Sequence, residues 1–284
     1  MPEGHTIHRA ARDQRKMLAG QVLAVSSPQG RFELGAAQLD GQRCDEVEAY
    51  GKHLLYRFES GEALHIHLGL FGRFRRSKRK ADEPLPDPRG AVRVRLVSDS
   101  HAVDINGPAT CELLEPDGID RLTARIGPDV LRPDAEPARA FARISKSRAP
   151  IGRLIMDQSV MAGIGNIYRT EILWRQGLHP DLPGRALTPE AFERLWEDAA
   201  ALLAIGVKRN AIITVDGAAP SRSRYRERVN IFGKESCPAC EGPVERIEID
   251  GRRAFLCETC QPAPDVLAAP KKVSRAAGRQ YGPR

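Results

Sequence analysis

The sequence predicts an α+β protein of two domains: an antiparallel β-sandwich with flanking helices, then a helical domain ending in a four-cysteine zinc finger. Three observations carry this. Residues 20 to 115 break into short alternating apolar stretches, residues 137 to 204 carry helical periodicity, and the pairs Cys237/Cys240 and Cys257/Cys260 stand sixteen residues apart. At 284 residues the chain exceeds the roughly 100 to 200 of one domain, so two separate cores are expected.

At the start, removal of Met1 would leave Pro2 as a secondary amine beside the Glu3 carboxylate, a nucleophile next to an acid. Ile7, Ala10, Ala11, Gln14, Met17 and Leu18 recur at helical spacing, which predicts a helix over 4–18 with Pro2 at or just before its first turn. The positive end of that helix dipole disfavours the protonated amine, whose ordinary pKa of roughly 8 already leaves part of it neutral near pH 7.

Strands are predicted at Gln21–Val25, Cys44–Ala49, His53–Phe58, Ala63–Leu68, Val92–Val97 and Ala102–Ile105. In Ala63–Leu68 the leucines and Ile66 face one way and His65 and His67 the other, giving a buried and a polar face. Hydrogen-bonded structural histidines are the simpler reading of that pair. Leu70 and Phe71 follow at an apparent loop and are either core residues or an exposed apolar wedge. The basic run Arg73–Lys80 reads as a solvated loop, with an auxiliary polyanion contact as the alternative, and the Pro-rich stretch 82–89 as a mobile loop.

Helical patterns follow at 137–145, 150–158, 166–176 and 189–204; the last has Thr188 as N-cap, Pro189 at its first position and Gly206 just past its end. Gly163-Ile164-Gly165 is a tight turn exposing N–H groups at a helix start, which suits a phosphate; Asn166 there is either a phosphate contact or an N-cap. The boundaries are 1–115 for the sandwich, 116–136 for a linker, 137–230 for the helical domain, 231–261 for the finger and 262–284 for a disordered basic tail.

Cys237, Cys240, Cys257 and Cys260 have the spacing of a closed tetrahedral zinc site, which leaves no position for a reactive water and makes the one zinc ion structural. Cys44 and Cys111, isolated in apolar stretches, read as buried free thiols. Between the knuckles Asp250-Gly251 signals a hairpin that puts Arg252 at or near its tip, either as a solvated side chain or as a phosphate grip. The formal charge of +7 favours a polyanionic partner. No apolar run approaches the ~20 residues of a membrane span, and the start lacks a signal-peptide hydrophobic stretch, so a cytosolic protein is expected.

Four motifs in order, Pro2-Glu3-Gly4, Gly51-Lys52, the Gln158–Pro180 segment and the Arg252-bearing finger, resemble the formamidopyrimidine-DNA glycosylase and endonuclease VIII family of base-excision repair enzymes, across Pro2 to Gln261. The resemblance implies a helix-two-turn-helix in the second domain, damaged DNA bound between the domains, and a monomer associated with the nucleoid. It implies Pro2 as Schiff-base nucleophile, Glu3 as the acid that opens the sugar, Lys52 as a contact to phosphate and lesion, and Asn166 and Arg252 as phosphate ligands. Leu70 and Phe71 match the intercalating region. In isolation Lys52 would read as an exposed lysine before a strand.

The Asp104–Leu113 stretch lacks the Asp-Pro-Arg-Arg-Phe-Gly-like segment of the formamidopyrimidine branch, which with Pro-Glu-Gly favours an endonuclease VIII-like preference for oxidised pyrimidines. His5-Thr6 departs from the family's further glutamate near the start, so no carboxylate stands there to orient the amine. The expected activity is a bifunctional glycosylase and abasic-site lyase working by β,δ-elimination. The alternatives are a glycosylase directed at 8-oxoguanine and formamidopyrimidines, and a catalytically inactive zinc-finger DNA-binding protein. A zinc hydrolase is disfavoured because sulfur takes every ligand position.

Overall fold

The computed structural model describes residues 2–79, 83–217 and 224–264, in two compact units, Met1–Ala135 and Glu136–Arg284. The tail from 265 on and Met1 lie outside the described residues.

In the first unit α1 (Gly4–Leu18) buries Ile7, Ala10, Ala11, Gln14 and Leu18 along one face. The strands β1 (Gln21–Val22), β3 (Arg43–Tyr50), β4 (His53–Phe58), β5 (Ala63–His67) and β9 (Thr110–Leu114) form one antiparallel sheet in the order β1-β3-β4-β5-β9. The second sheet runs β2-β7-β8-β6, from β2 (Ala24–Ser26), β6 (Arg73–Lys78), β7 (Val92–Val97) and β8 (His101–Asn106). Leu54, Tyr56, Leu64 and Ile66 from one sheet and Val94, Leu96, Val103 and Ile105 from the other share one core, each fully buried. Each such aliphatic side chain stabilises the fold by roughly 1.5–3 kcal/mol. Gln14 of α1 accepts the Tyr56 hydroxyl inside that core, so the helix is tied to the sheet by a polar as well as an apolar contact.

Several elements differ from the sequence reading. Arg73–Lys78 is a strand, not a loop: Phe74 turns onto the core, Arg76 on the same side meets Asp13 of α1, and Arg73 and Arg75 lie on the opposite side of this edge strand, where cations discourage further pairing. His65 is buried, because β5 is an interior strand covered on both faces, so the expected polar face exists only at the half-buried His67. Two helices were not foreseen, α2 (Glu33–Leu39) and α3 (Pro116–Arg125). The latter lies within the predicted linker 116–136, starting on Pro116 and burying Ile119 and Leu122, two apolar positions among dense Pro, Gly and Asp.

The second unit contains α4 (Pro137–Ile144), the single turn α5 (Ile151–Leu154), α6 (Asn166–Arg175) and α7 (Pro189–Arg209), followed by the hairpin β10 (Glu245–Ile249) and β11 (Arg252–Leu256). Thr188 caps α7 by accepting from Ala191 N–H at 3.2 Å. This helix continues past Gly206 and stops at Asn210, whose left-handed φ of 56° terminates it. Glu171 organises the unit: fully buried, it accepts from the Thr214 hydroxyl (2.5 Å) and from the N–H groups of Asn230, Ile231 and Phe232 at 2.6–2.9 Å. Among the described residues no helix is long and apolar enough to cross a membrane.

Candidate active site and zinc finger

Pro2 is half-buried immediately ahead of α1, and Glu3, fully buried, is the extended N-cap residue whose carbonyl accepts the first helical bond from Thr6 N–H at 2.9 Å. His5 lies in the first turn, buried, with its imidazole pushed down to about 4 by burial and then by the positive amino terminus. It is therefore neutral at physiological pH.

Lys52 sits on the two-residue turn between β3 and β4, where Tyr50 pairs with His53. Gly51 takes a φ of 58°, the left-handed value that a type II′ hairpin demands at its first central position. The turn is held by Asp129, a residue the sequence reading passed over: its carboxylate accepts from Gly51 N–H at 2.6 Å, from His8 Nε2 at 2.7 Å and from Leu131 N–H at 3.0 Å. Through His8 the same side chain reaches α1, so the Lys52 turn and the helix that begins at Glu3 are tied to one buried anion. Next to Lys52, His53 Nδ1 hydrogen-bonds His65 Nε2 at 2.9 Å, and His65 Nδ1 meets Glu112 at 2.8 Å. This is the hydrogen-bonded structural role foreseen for histidines on that strand.

Leu70 and Phe71 are 59% and 89% exposed, which excludes the core reading. Their projection is set by glycines on either side. Gly69 has a φ of 64°, and a Cβ there would stand 2.7 Å from that of Ala109; a Cβ at Gly72 would stand 2.4 Å from the Leu68 carbonyl oxygen. With Gly72 N–H bonded to that carbonyl at 3.0 Å, the chain closes on itself and the two apolar side chains are left on the outside.

In the second unit, Gln158 staples the tight turn by accepting from Gly163 N–H at 3.0 Å and donating to the carbonyls of Met156 and Ile164 at 2.9 and 3.0 Å. Gly165, not Asn166, is the N-cap of α6, and Asn166 makes no side-chain cap. Instead its amide donates to the Arg253 carbonyl at 2.7 Å and its oxygen accepts from the buried Arg169 guanidinium, so Asn166 joins the turn to the finger. Arg252 is exposed, beside a hairpin tip where Asp250 and Gly251 both have positive φ, 49° and 72°.

The sulfurs of Cys237, Cys240, Cys257 and Cys260 all lie within 4.8 Å of one another, with the pairs Cys237–Cys260 and Cys240–Cys257 at 3.7 and 3.5 Å. A tetrahedron with zinc–sulfur bonds of about 2.3 Å has edges of about 3.8 Å, so the residues fit one zinc ion. Trp174 Nε1–H points at Cys237 Sγ at 3.3 Å, and Gln261 bridges Cys257 N–H (3.2 Å) to the Leu178 carbonyl (2.8 Å), seating the finger on α6 and the residues after it.

Comparison with known proteins decides what these parts belong to. The sequence matches the formamidopyrimidine-DNA glycosylase N-terminal domain over residues 1–109, the H2TH domain of the same enzymes over 126–216, and the zinc finger found in FPG and IleRS over 234–263. Endonuclease 8 1 of Mycobacterium tuberculosis is 42% identical over 267 residues, covering 92% of this chain and 100% of that protein. Formamidopyrimidine-DNA glycosylase of Thermus thermophilus is 34% identical over 282 residues, covering 92% and 98%. The chain belongs to the formamidopyrimidine-DNA glycosylase and endonuclease VIII family. The crystal structure of MutM (Fpg) from Thermus thermophilus superposes with a TM-score of 0.73 at 30% identity, covering 92% of this chain and 98% of that one. Fpg of Lactococcus lactis, solved with N7-benzyl-Fapy-dG-containing DNA, gives 0.76 at 22% identity and covers 92% and 100%, which shows the shared fold.

With membership comes the enzyme class, a DNA glycosylase with abasic-site lyase activity, and the zinc of the finger is a structural ion. Within this glycosylase the residues missed by sequence reading are the supports: Asp129 under the Lys52 turn, Gln158 inside the tight turn, Glu171 under the finger's approach and Gln261 behind its second knuckle. Only Asp129 had a local signal, the turn-forming Gly127-Pro128-Asp129. The others are polar residues whose partners lie on chain segments or carbonyls that no spacing rule connects.

Proposed function

We propose that the enzyme excises oxidised pyrimidines from DNA as a monomer and cuts the resulting abasic strand, with Pro2, freed of Met1, as the nucleophile. The observation that carries this is a half-buried proline directly before a wholly buried glutamate at the start of a helix anchored, through Asp129, to the Lys52 turn.

The neutral amine of Pro2 bonds to C1′ as the glycosidic bond breaks and the base departs with a proton. The amine then loses its own proton, and its lone pair expels the ring oxygen. Glu3, protonated, gives its proton to that oxygen and leaves a cationic iminium. The iminium acidifies C2′; loss of that proton breaks the C3′–O bond and frees the 3′ phosphate, and a further loss at C4′ breaks the C5′–O bond. Water then hydrolyses the imine and returns Pro2. Thr6 supplies no carboxylate, and the neutral His5 does not place a second positive charge beside the amine.

Turning the nucleotide out of the stack costs a few kcal/mol, and Leu70 and Phe71, already exposed, would fill the space it leaves. Lys52 and the finger's Arg252 would grip phosphates, and Asn166, at the start of α6, would act with them. The zinc, when bound, stiffens the finger that presents Arg252.

Preference for pyrimidines is supported by 42% identity to an endonuclease 8 and by the connection Gly107-Pro108-Ala109 between β8 and β9, whose small residues offer no second wedge. A purine-directed glycosylase is the second reading, favoured by the 34% identity to a formamidopyrimidine-DNA glycosylase. Borohydride reduction on abasic duplex should give a covalent adduct that Pro2→Gly abolishes, and cleavage should rank thymine glycol and 5-hydroxyuracil above 8-oxoguanine. Absence of an adduct from protein whose mass shows a mature proline terminus would defeat the mechanism. The reverse ranking would defeat the preference alone.

A further inference from the structure

The basic strand β6 begins one residue after the wedge loop and has no part in the chemistry above. Its alternation is clear from the register: Phe74 and Arg76 lie opposite the core residues Ile105 and Val103, so they face inward, whereas Arg73 and Arg75, both exposed, lie on the other face opposite Asn106 and Asp104, which are themselves buried. Arg79, one residue beyond the strand, shares that outer side and is fixed in line by its N–H bond to the Ser100 carbonyl at 2.8 Å. Arg76 is held by Asp13 at 2.8 Å. Among the described residues no carboxylate stands within ion-pairing distance of Arg73, Arg75, Lys78 or Arg79, and all four are exposed.

A fold keeps an edge strand from pairing with other chains by means of charged side chains on it. Four exposed cations in seven residues stand directly after two exposed apolar side chains; Arg75 feels the Asp104 carboxyl opposite it, and none of the four is held in an ion pair among the described residues. Same-side residues of a strand advance by about 6.8 Å, the axial advance of two nucleotides along one B-form strand, so Arg73, Arg75 and Arg79 form a row with a spacing to which phosphates can be matched.

We propose that β6 is a lesion-independent DNA-backbone rail, on which Arg73, Arg75 and Arg79 bind phosphates of duplex flanking the wedge. This rests on the reading of Leu70 and Phe71 as the wedge. The rail would hold the enzyme on undamaged duplex and keep the wedge against the stack during search.

The test is the salt dependence of binding of the full-length zinc-loaded protein to undamaged duplex and to duplex bearing a tetrahydrofuran abasic analogue. Arg73→Gln/Arg75→Gln/Arg79→Gln should flatten the slope of log Kobs against log salt by about 0.9 per lost phosphate contact, by roughly 2–3 in all, on both duplexes. The charge-preserving triple Arg→Lys variant should keep the wild-type slope, and Lys16→Gln/Arg31→Gln, which removes two exposed cations elsewhere in the same unit, should leave it unchanged. A wild-type slope in the triple Gln variant, or an equal per-charge loss in the Lys16/Arg31 control, overturns the proposal, as does self-association of the Gln variant with a wild-type slope in its monomer. If instead wild-type protein shows no salt-dependent DNA binding at all, the functional reading itself fails.

Discussion

Asp129 accepts the Gly51 N–H at 2.6 Å while holding His8 of α1 at 2.7 Å, so one buried carboxylate fixes both the turn that carries Lys52 and the helix that begins at Glu3. Asp129→Ala leaves the Gly51 and Leu131 N–H groups and His8 without their acceptor. The buried Gly51 N–H alone, left without an acceptor, costs about 1–3 kcal/mol. Thermal melting should fall clearly, and the rate of borohydride trapping on abasic DNA should drop more than tenfold, whereas Asp129→Asn, which keeps one acceptor oxygen, should recover most of the stability. A normal trapping rate in Asp129→Ala would show that the tie does not serve the chemistry.

Glu171 performs the equivalent task in the second unit, with three backbone N–H groups and the Thr214 hydroxyl converging on one carboxylate. Glu171→Gln would turn an N–H2 toward those donors and should destabilise the unit by about 1–3 kcal/mol for each buried donor left without its acceptor. Zinc release to a chromophoric chelator should accelerate together with this loss. Unchanged release kinetics would separate Glu171 from the finger.

Leu70→Ala/Phe71→Ala removes two exposed side chains, so the melting temperature should move by no more than a degree or two. Excision from lesion-bearing duplex should fall at least tenfold, while cleavage of a single-stranded abasic oligonucleotide, which has no stack to open, should be nearly unaffected. Equal losses on both substrates would remove the wedge role.

Stability should also depend on pH through the buried histidines. Burial first, then the neighbouring charges of His65, His67, Arg125 and Lys52, holds His53 down to about 3; burial and the amino terminus hold His5 down to about 4. An unfolded histidine titrates near 6.5, so the stabilisation is fully present above that value. It is lost as pH falls toward the folded pKa values, at about 1.4 kcal/mol per pH unit for each group. Urea midpoints should therefore decline between pH 6.5 and 5, and His53→Gln should make that decline shallower. An identical pH slope in the variant would contradict the assignment.

How far the chain was legible follows from the range of each interaction. Thr188-Pro189, Asp250-Gly251 and the two Cys-x2-Cys pairs act within a few residues, so their consequences were readable. Arg73–Lys78 was not readable as a strand, because its single inward apolar residue, Phe74, gains meaning only beside Ile105. Nor was α3, since Ile119 and Leu122 are two apolar positions among turn-forming residues. Asn166 illustrates the limit for sites: the chain shows an amide at a helix start, and only the packing of the finger turns it onto the Arg253 carbonyl.

By itself the sequence determined the order of the two domains, the zinc ligands, the Pro2–Glu3 head and the hairpin beside Arg252, since backbone propensity and ligand spacing are local. Tertiary structure alone decided that Leu70 and Phe71 project outward, that β5 is covered on both faces and that Asp129, Glu171 and Asn166 are structural ties. Those outcomes depend on which distant groups meet a buried polar atom, and burial is a property of the assembled fold.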